Sequence, residues 1–266
     1  MTPACSLSDT FRAARTKSLG LVAVSLGLAL LGCSGSGDDD EPVEERFSFF
    51  VTSMAGLLEL APDAQGFGGD LSYNGQSGVL GADELCKALA ESAMTGASTK
   101  GWKAFLSTTT EDAIDRIAGG PWFDRQGRKV ADDKSGLTSV RPTGADPAIV
   151  DDLPNESGVP NHLDIGPECA ADNSCRDNHD VLTGSDENGR YRPATCDDWT
   201  SVTALGEPMV GHSWPAQSGK GWLRAHTAGG CGRSVKVQQT GAPMPGDLTV
   251  GAGGGYGGFY CFASTP

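Results

Sequence analysis

Apolar and polar positions change their period several times along the chain, and each change predicts a different element. Residues 47–53 are aromatic and β-branched, which is typical of a buried strand. Residues 82–97 carry apolar side chains at the spacing of an amphipathic helix, with Asp83 and Glu84 placed to suit its first turn. Residues 101–107 alternate along their length and predict a second strand.

The remaining pattern consists of short elements joined by long polar connections. The predicted elements are a short helix at 111–117, a hairpin at 121–130 and late strands near 181–183, 221–224 and 256–263. Residues 54–80 contain six glycines and predict a loop with little regular structure. Residues 131–180 are rich in Asp, Pro and Gly and predict a large irregular insertion. Short strands with few helices indicate an α+β domain.

One apolar run stands apart from this pattern. Residues 19–31 are almost entirely apolar and follow the basic residues Arg12, Arg15 and Lys17. The run is shorter than the roughly 20 residues that span a bilayer, which disfavours the alternative of a transmembrane helix. A basic start followed by a short apolar stretch is typical of an export signal.

Cys33 gives the export signal a more specific meaning. It directly follows Leu30, Leu31 and Gly32, so the segment resembles a bacterial lipoprotein signal with its lipobox. That resemblance implies removal of residues 1–32, lipidation of Cys33 and attachment to a membrane through its acyl chains. Ser34 rather than Asp follows the cysteine, which favours the outer membrane, on either its periplasmic face or the cell surface.

Composition and charge limit the classes of molecule that the exported chain is expected to bind. Residues 34–46 are small, polar and acidic and predict a flexible tether, so that 33–46 links the lipid to a domain at 47–266. Without the signal, which holds three basic residues and one acidic residue, 17 Lys and Arg face 33 Asp and Glu, a net charge of −16. Such a surface repels nucleic acid and makes direct polybasic contact with a membrane improbable.

The cysteines indicate an oxidising compartment. Cys5 lies in the signal and Cys33 is the lipidation site, which leaves an even set of six. An even number in an exported chain favours three disulfides, and counting alone does not fix their pairing. These six are Cys86, Cys169, Cys175, Cys196, Cys231 and Cys261.

Four ordered sequence blocks resemble a known domain family. They are GADELC at 81–86, WKAFLS at 102–107, GSDENG at 184–189 with CDDW at 196–199, and the closing cysteines Cys231 and Cys261. In this order they resemble the endostatin domain of the multiplexin collagens and a related domain of bacterial lipoproteins. The resemblance covers roughly residues 47–264, with gaps at 54–80 and 131–180.

The resemblance implies a C-type lectin-like fold and a nested pair of disulfides. Cys86 would bond to Cys261, and Cys196 to Cys231; this leaves Cys169 to pair with Cys175. The zinc site of endostatin uses histidines near the start of the domain, and the first histidine of this domain is His162. The resemblance therefore gives no metal or cofactor, and the calcium-ligand runs of sugar-binding lectins are missing as well.

The remaining candidate chemistry is sparse. The four histidines have no ligand spacing and are interpreted as structural or surface residues: His162, His179, His212 and His226. Oxygen ligands cluster at 172–180, which raises calcium binding as an alternative to a solvated loop. Four of the five tryptophans are predicted in or near the core, whereas Trp214 is the candidate for ligand contact.

These observations predict a lipid-anchored, non-catalytic binding or adhesion domain. A surface protein or a glycan is the expected ligand, met by the loops at 131–180 and 206–220. One alternative is a structural envelope lipoprotein without a dedicated ligand, and another is calcium-dependent binding through 172–180. A hydrolase is a third alternative, which would need a convergent catalytic site.

Overall fold

Strand β8, Gly255–Ala263, is the centre of the architecture in the computed structural model. The structure describes residues 46–163, 178–203, 205–215, 219–235, 237 and 246–264, which belong to one compact unit, Asp40–Pro266. All nine residues of β8 are buried, because strands or helices cover it on every side. Strand β1, Phe49–Val51, and strand β2, Trp102–Ala104, both run antiparallel to its second half.

Three further strands extend the sheet from the first half of β8. Strand β5, Asp180–Leu182, runs parallel to β8. Strand β6, Met209–His212, pairs antiparallel with β5, and strand β7, His226–Thr227, pairs antiparallel with β6. The order is therefore β1-β8-β5-β6-β7, with β2 also on β8. The predicted hairpin is present as a separate pair, β3 at Trp122–Phe123 and β4 at Lys129–Ala131.

The helices are few and mostly short, as the α+β class requires. They are α1 at Met54–Leu60, α2 at Gly78–Ala93, α3 at Ala113–Arg116, α4 at Lys134–Leu137 and α5, a single turn with left-handed backbone angles, at Cys196–Trp199, with 3-10 turns at Ala97–Lys100 and Asn161–Leu163. Helix α2 buries Leu85 and Leu89 and is tied to β8 by the disulfide Cys86–Cys261, whose Cα atoms are 5.6 Å apart. In the part of the chain that the structure describes, no helix has the length and apolarity needed to cross a membrane.

Helix α1 corrects the prediction of an irregular segment at 54–80. The Ser53 hydroxyl accepts a hydrogen bond from the Gly56 amide and so caps the helix start. Met54 and Leu57 are buried, and this packing stabilises a helix too short to form alone. The glycines further along the segment hid this single apolar helical stretch.

Helix α2 begins at Gly78, four residues before the predicted start, and ends at Ala93. Asp83 therefore lies beyond the first turn, where the helix dipole has little effect on a charged side chain. Its buried carboxylate instead accepts hydrogen bonds from Lys103, Arg116 and the Ala104 amide. The acidic side chain fixes β2 against the helix rather than capping it.

The late strands also differ from prediction. Strand β6 lies inside the segment 206–220, which was predicted to be a contact loop. Residues 221–224 belong to no strand, although Trp222 is fully buried and its ring lies 5.1 Å from that of Tyr260. The apolar residues of this segment, which suggested a strand, serve instead to fill the core.

The insertion is described from 131 to 163 and is mostly irregular, as predicted. It is nevertheless packed, since Leu137, Ile149 and Leu153 are buried. The second disulfide, Cys196–Cys231, also has its Cα atoms 5.6 Å apart. Both disulfides are the pairs implied by the endostatin resemblance. Cys33, Cys169 and Cys175 lie outside the described residues.

Candidate metal centre

Three histidines and one aspartate converge at one end of the sheet: His179, Asp180, His212 and His226. One nitrogen or oxygen atom from each lies within 4.8 Å of the others. Asp180 Oδ1 is central, at 3.3 Å from His179 Nε2, 3.4 Å from His212 Nε2 and 3.1 Å from His226 Nε2. We call these four residues the metal centre.

The pairing of β5, β6 and β7 places three of these side chains on one face. Asp180 lies directly opposite His212 across the β5–β6 ladder. His226 lies opposite Val210, two residues before His212, so both histidines point to the same side of the sheet. Sheet register, rather than local sequence, therefore brings the side chains together.

The fourth ligand reaches this face through an irregularity at the start of β5. Alternation would direct His179 to the side opposite Asp180. The amides of both residues donate to the same carbonyl of Gly254, at 2.8 and 3.0 Å. Two successive amides on one acceptor interrupt the regular alternation in the manner of a β-bulge. His179 consequently shares the side occupied by its neighbour.

Burial makes this arrangement costly without a cation. The side chains of Asp180 and His212 are 1% and 0% exposed. Neither carboxylate oxygen of Asp180 and neither ring nitrogen of His212 has a hydrogen-bond partner among the described residues. Each buried unsatisfied polar group costs about 1–3 kcal/mol, and a charged group costs more. A bound cation would satisfy these atoms.

The protonation of His212 suits metal binding. Burial, followed by the like charges of His179 and His226, lowers its pKa to about 2. The ring is therefore neutral near neutral pH, which is the form that donates a lone pair to a metal.

His226 is held in the tautomer that directs Nε2 to the centre. Its Nδ1 lies 3.0 Å from the Thr227 carbonyl, which can only accept, so Nδ1 carries the proton. Burial lowers the pKa of His226, but the Asp180 carboxylate and the Thr227 carbonyl outweigh it and leave that pKa above its usual value. A proton on His226 would thus compete with a metal ion for Asp180.

The three separations from Asp180 Oδ1 match those expected around a tetrahedral ion, and the separations between the histidine nitrogens are at most 4.8 Å. Zinc bonds of 2.0–2.1 Å to nitrogen and oxygen put neighbouring ligands of a tetrahedron about 3.3 Å apart. The three distances from Asp180 Oδ1 span 3.1–3.4 Å. Imidazole nitrogens favour zinc, copper, nickel or iron, whereas calcium and magnesium prefer oxygen ligands.

Trp214, the predicted ligand contact, lies beside the metal centre. Its half-buried ring lies 6.2 Å from that of His179 and 5.7 Å from that of His162. Its indole Nε1 donates to the Asn178 carbonyl at 2.7 Å. His162 is half-exposed, pairs with Asp152 and stays outside the metal centre.

The sequence alone does not predict that any two of these histidines lie close together. They are 33 and 14 residues apart, and such spacings match no local ligand motif. Asp180 was assigned to a solvated acidic loop at 172–180, whereas it is buried at the start of β5. The usable signal was the dipeptide His179-Asp180 directly before a predicted strand. Residues 164–177, which hold most of that loop, lie outside the described chain.

Comparison with known proteins leaves the metal centre to be interpreted from its geometry. No protein-family model matches the chain, and no curated protein sequence matches it either.

Proposed function

We propose that this protein binds one divalent transition-metal ion, foremost zinc, at the metal centre. The observation that carries the proposal is the buried Asp180 carboxylate, which faces three imidazole nitrogens at 3.1–3.4 Å. A metal ion is the simplest group that satisfies one carboxylate and several lone pairs at once.

The proposed ion is structural rather than catalytic. Four protein ligands complete a tetrahedron, whereas catalytic zinc keeps one position for water or substrate. Three of the four residues are buried, so a substrate has little access. This supports a non-catalytic domain and weakens the hydrolase alternative.

The wider role remains our proposal of an exported, lipid-anchored domain for non-catalytic binding or adhesion. Lipidation at Cys33 would hold it to the membrane, and a surface protein or glycan would be its ligand. The disulfides Cys86–Cys261 and Cys196–Cys231 support export to an oxidising compartment. They also support the finer proposal of an endostatin-like, C-type lectin-like fold.

A metal analysis of the full chain, extracted from membranes in detergent, tests the proposed function. After removal of metal with a chelator and reloading with zinc, we expect one zinc ion per chain by mass spectrometry. His226→Ala should hold less than about a tenth of that amount, because it removes one of four ligands. His226 is the most exposed ligand, so its truncation disturbs the fold least.

His162→Ala is the matched control, since His162 lies beside Trp214 but supplies no ligand. It should retain one zinc ion per chain. Circular dichroism before and after chelation establishes that each protein is folded. A folded wild-type chain that takes up no zinc, copper, nickel or iron would refute the proposal.

A further inference from the structure

Arg141 connects the insertion to the backbone of the metal centre. Its guanidinium donates to the carbonyls of His212 at 2.7 Å, Ser213 at 2.6 Å and Val150 at 2.7 Å. Two of these acceptors belong to a ligand residue and its neighbour, and the third belongs to the insertion itself. One half-buried cation therefore joins the insertion to the end of β6.

Ser213 makes a second connection at the same place. Its amide donates to the His179 carbonyl at 2.8 Å, which links β6 to the residue that precedes β5. Its carbonyl accepts from the Leu153 amide at 3.1 Å, and its hydroxyl accepts from Asn161 Nδ2 at 2.8 Å. The insertion thus rests on the backbone that positions two metal ligands.

Backbone hydrogen bonds to the rest of the domain hold the insertion on both sides of residues 141–153, and within that stretch the side chains of Ile149 and Leu153 are buried. Val140 accepts from the Trp222 amide at 3.2 Å, and Pro154 accepts from the Val51 amide at 2.9 Å. We call the intervening residues 141–153 the strap. Among the described residues, the amides of the strap donate to Ser213 at the end of β6 (from Leu153), to Lys129 (from Asp146) and to Gly136 (from Thr143), and the Leu153 carbonyl accepts from the Asn161 amide.

We infer that the metal ion orders the strap and that Arg141 transmits the effect. This inference rests on the proposed function. Without the ion, the Asp180 carboxylate and the His212 ring nitrogens, which have no hydrogen-bond partner among the described residues, face one another in a buried site, and the ends of β5, β6 and β7 must separate or admit water. The carbonyls that Arg141 and Leu153 contact then lose their fixed positions, and the strap opens.

The ordered strap would shape the surface that the domain offers to a ligand. Val140 and Val159, which lie just beyond its two ends, are 56% and 41% exposed. A change at the metal centre would therefore alter an outer surface without any direct contact between the ligand and the ion. Such a coupling makes binding by the domain dependent on metal.

Hydrogen exchange of the full chain, with zinc and after chelation, measures the effect directly. We expect amide exchange within 141–153 to become at least about tenfold faster without zinc, because local opening then needs less free energy. Amides in β8 should change little, since Cys86–Cys261 holds that strand independently. Unchanged strap exchange in a chain that demonstrably binds zinc would overturn the inference and leave the proposed function intact.

Substitution of Arg141 tests the reciprocal effect. Because coupling is symmetric, Arg141→Ala should weaken zinc binding, by about tenfold within the usual range of such couplings. The zinc affinity of Arg141→Lys, which cannot bridge three carbonyls, should lie between those of Arg141→Ala and the wild type.

Arg125→Ala is the matched control, because Arg125 donates to the Ala93 carbonyl, away from the strap. Equal zinc affinity in Arg141→Ala and Arg125→Ala would contradict the role of Arg141, and no uptake by any folded chain would instead defeat the metal proposal itself.

Discussion

At the scale of single residues, Asp180 links the stability of the protein to the concentration of metal. Its carboxylate is buried, and no hydrogen bond reaches either oxygen within the described chain. A buried charge of this kind opposes folding until a partner neutralises it. A ligand that binds only the folded state supplies that partner and adds its binding free energy to the free energy of unfolding.

Asp180→Asn should therefore remove the zinc-dependent part of the stability. At free zinc 100 times above the dissociation constant, the wild-type protein gains about 2.7 kcal/mol. This corresponds to a rise in melting temperature of about 5–10 °C for a domain of this size. In chelator, the variant should melt at or above the wild-type temperature, since the amide carries no buried charge.

Thermal unfolding with and without zinc, followed by circular dichroism, measures this gain. Asp115→Asn is the control, because Asp115 is exposed and lies outside both the metal centre and the strap. It should keep the full rise in melting temperature. If Asp180→Asn rises as much as the control does, zinc acts elsewhere on the chain.

At the scale of elements, β6 depends on a glycine. A Cβ atom on Gly211 would overlap the backbone carbonyl of Trp222, which lies against β6. The His212 amide donates to the Gly221 carbonyl at 3.0 Å in the same close contact. Only glycine allows the two backbones to approach and still places His212 opposite Asp180.

Gly211→Ala should accordingly destabilise the protein by about 1–3 kcal/mol, the usual cost of overpacking, and should weaken zinc binding as well. Gly119→Ala is the matched control, because an added Cβ there meets no atom within 4 Å. Chemical denaturation and zinc titration of both variants check the prediction. Equal stability and equal zinc affinity in the two would show that β6 tolerates a side chain.

Pattern reasoning succeeded for elements whose side chains alone encode them. The β3–β4 hairpin and β8 were predicted because aromatic residues, joined in β4 by Val130, lie beside clear turn signals. Helix α1 was missed because its apolar stretch has seven residues and adjoins a glycine-rich segment. Strand β6 was missed because four residues that include Gly211 give almost no periodic signal.

The candidate site could not be predicted for a different reason. His179, His212 and His226 come from separate segments, and the register between strands decides whether they meet. A bulge at the start of β5 then decides which side His179 faces. Neither property has a local signature in one sequence, whereas the resemblance to the endostatin domain implied a pairing that both described disulfides match.

At the scale of the whole molecule, cross-links compensate for a small share of regular structure. The disulfides close separations of 175 and 35 residues, and the proposed ion would join residues 179 to 226. Each link restricts the unfolded chain, which matters in a protein with 38 glycines. The excess of acidic residues also raises the local concentration of cations. Oxidation and metal uptake would therefore both belong to folding after export.

The proposed membrane anchor also concerns the whole molecule, and Cys33 is the residue that tests it. Lipid attachment needs the thiol, so Cys33→Ser expressed in bacteria should incorporate no radiolabelled palmitate, whereas the wild-type chain should be labelled. Cys5→Ser is the matched control, because Cys5 lies within the export signal and should leave labelling unchanged. Labelling is the decisive readout, since an uncleaved signal could hold the variant at the membrane by itself.

The Cys33→Ser chain should still bind one zinc ion, because its ligands lie between residues 179 and 226. Palmitate on Cys33→Ser would place the lipid elsewhere, and the function would then have to be reconsidered as that of a domain anchored at another point.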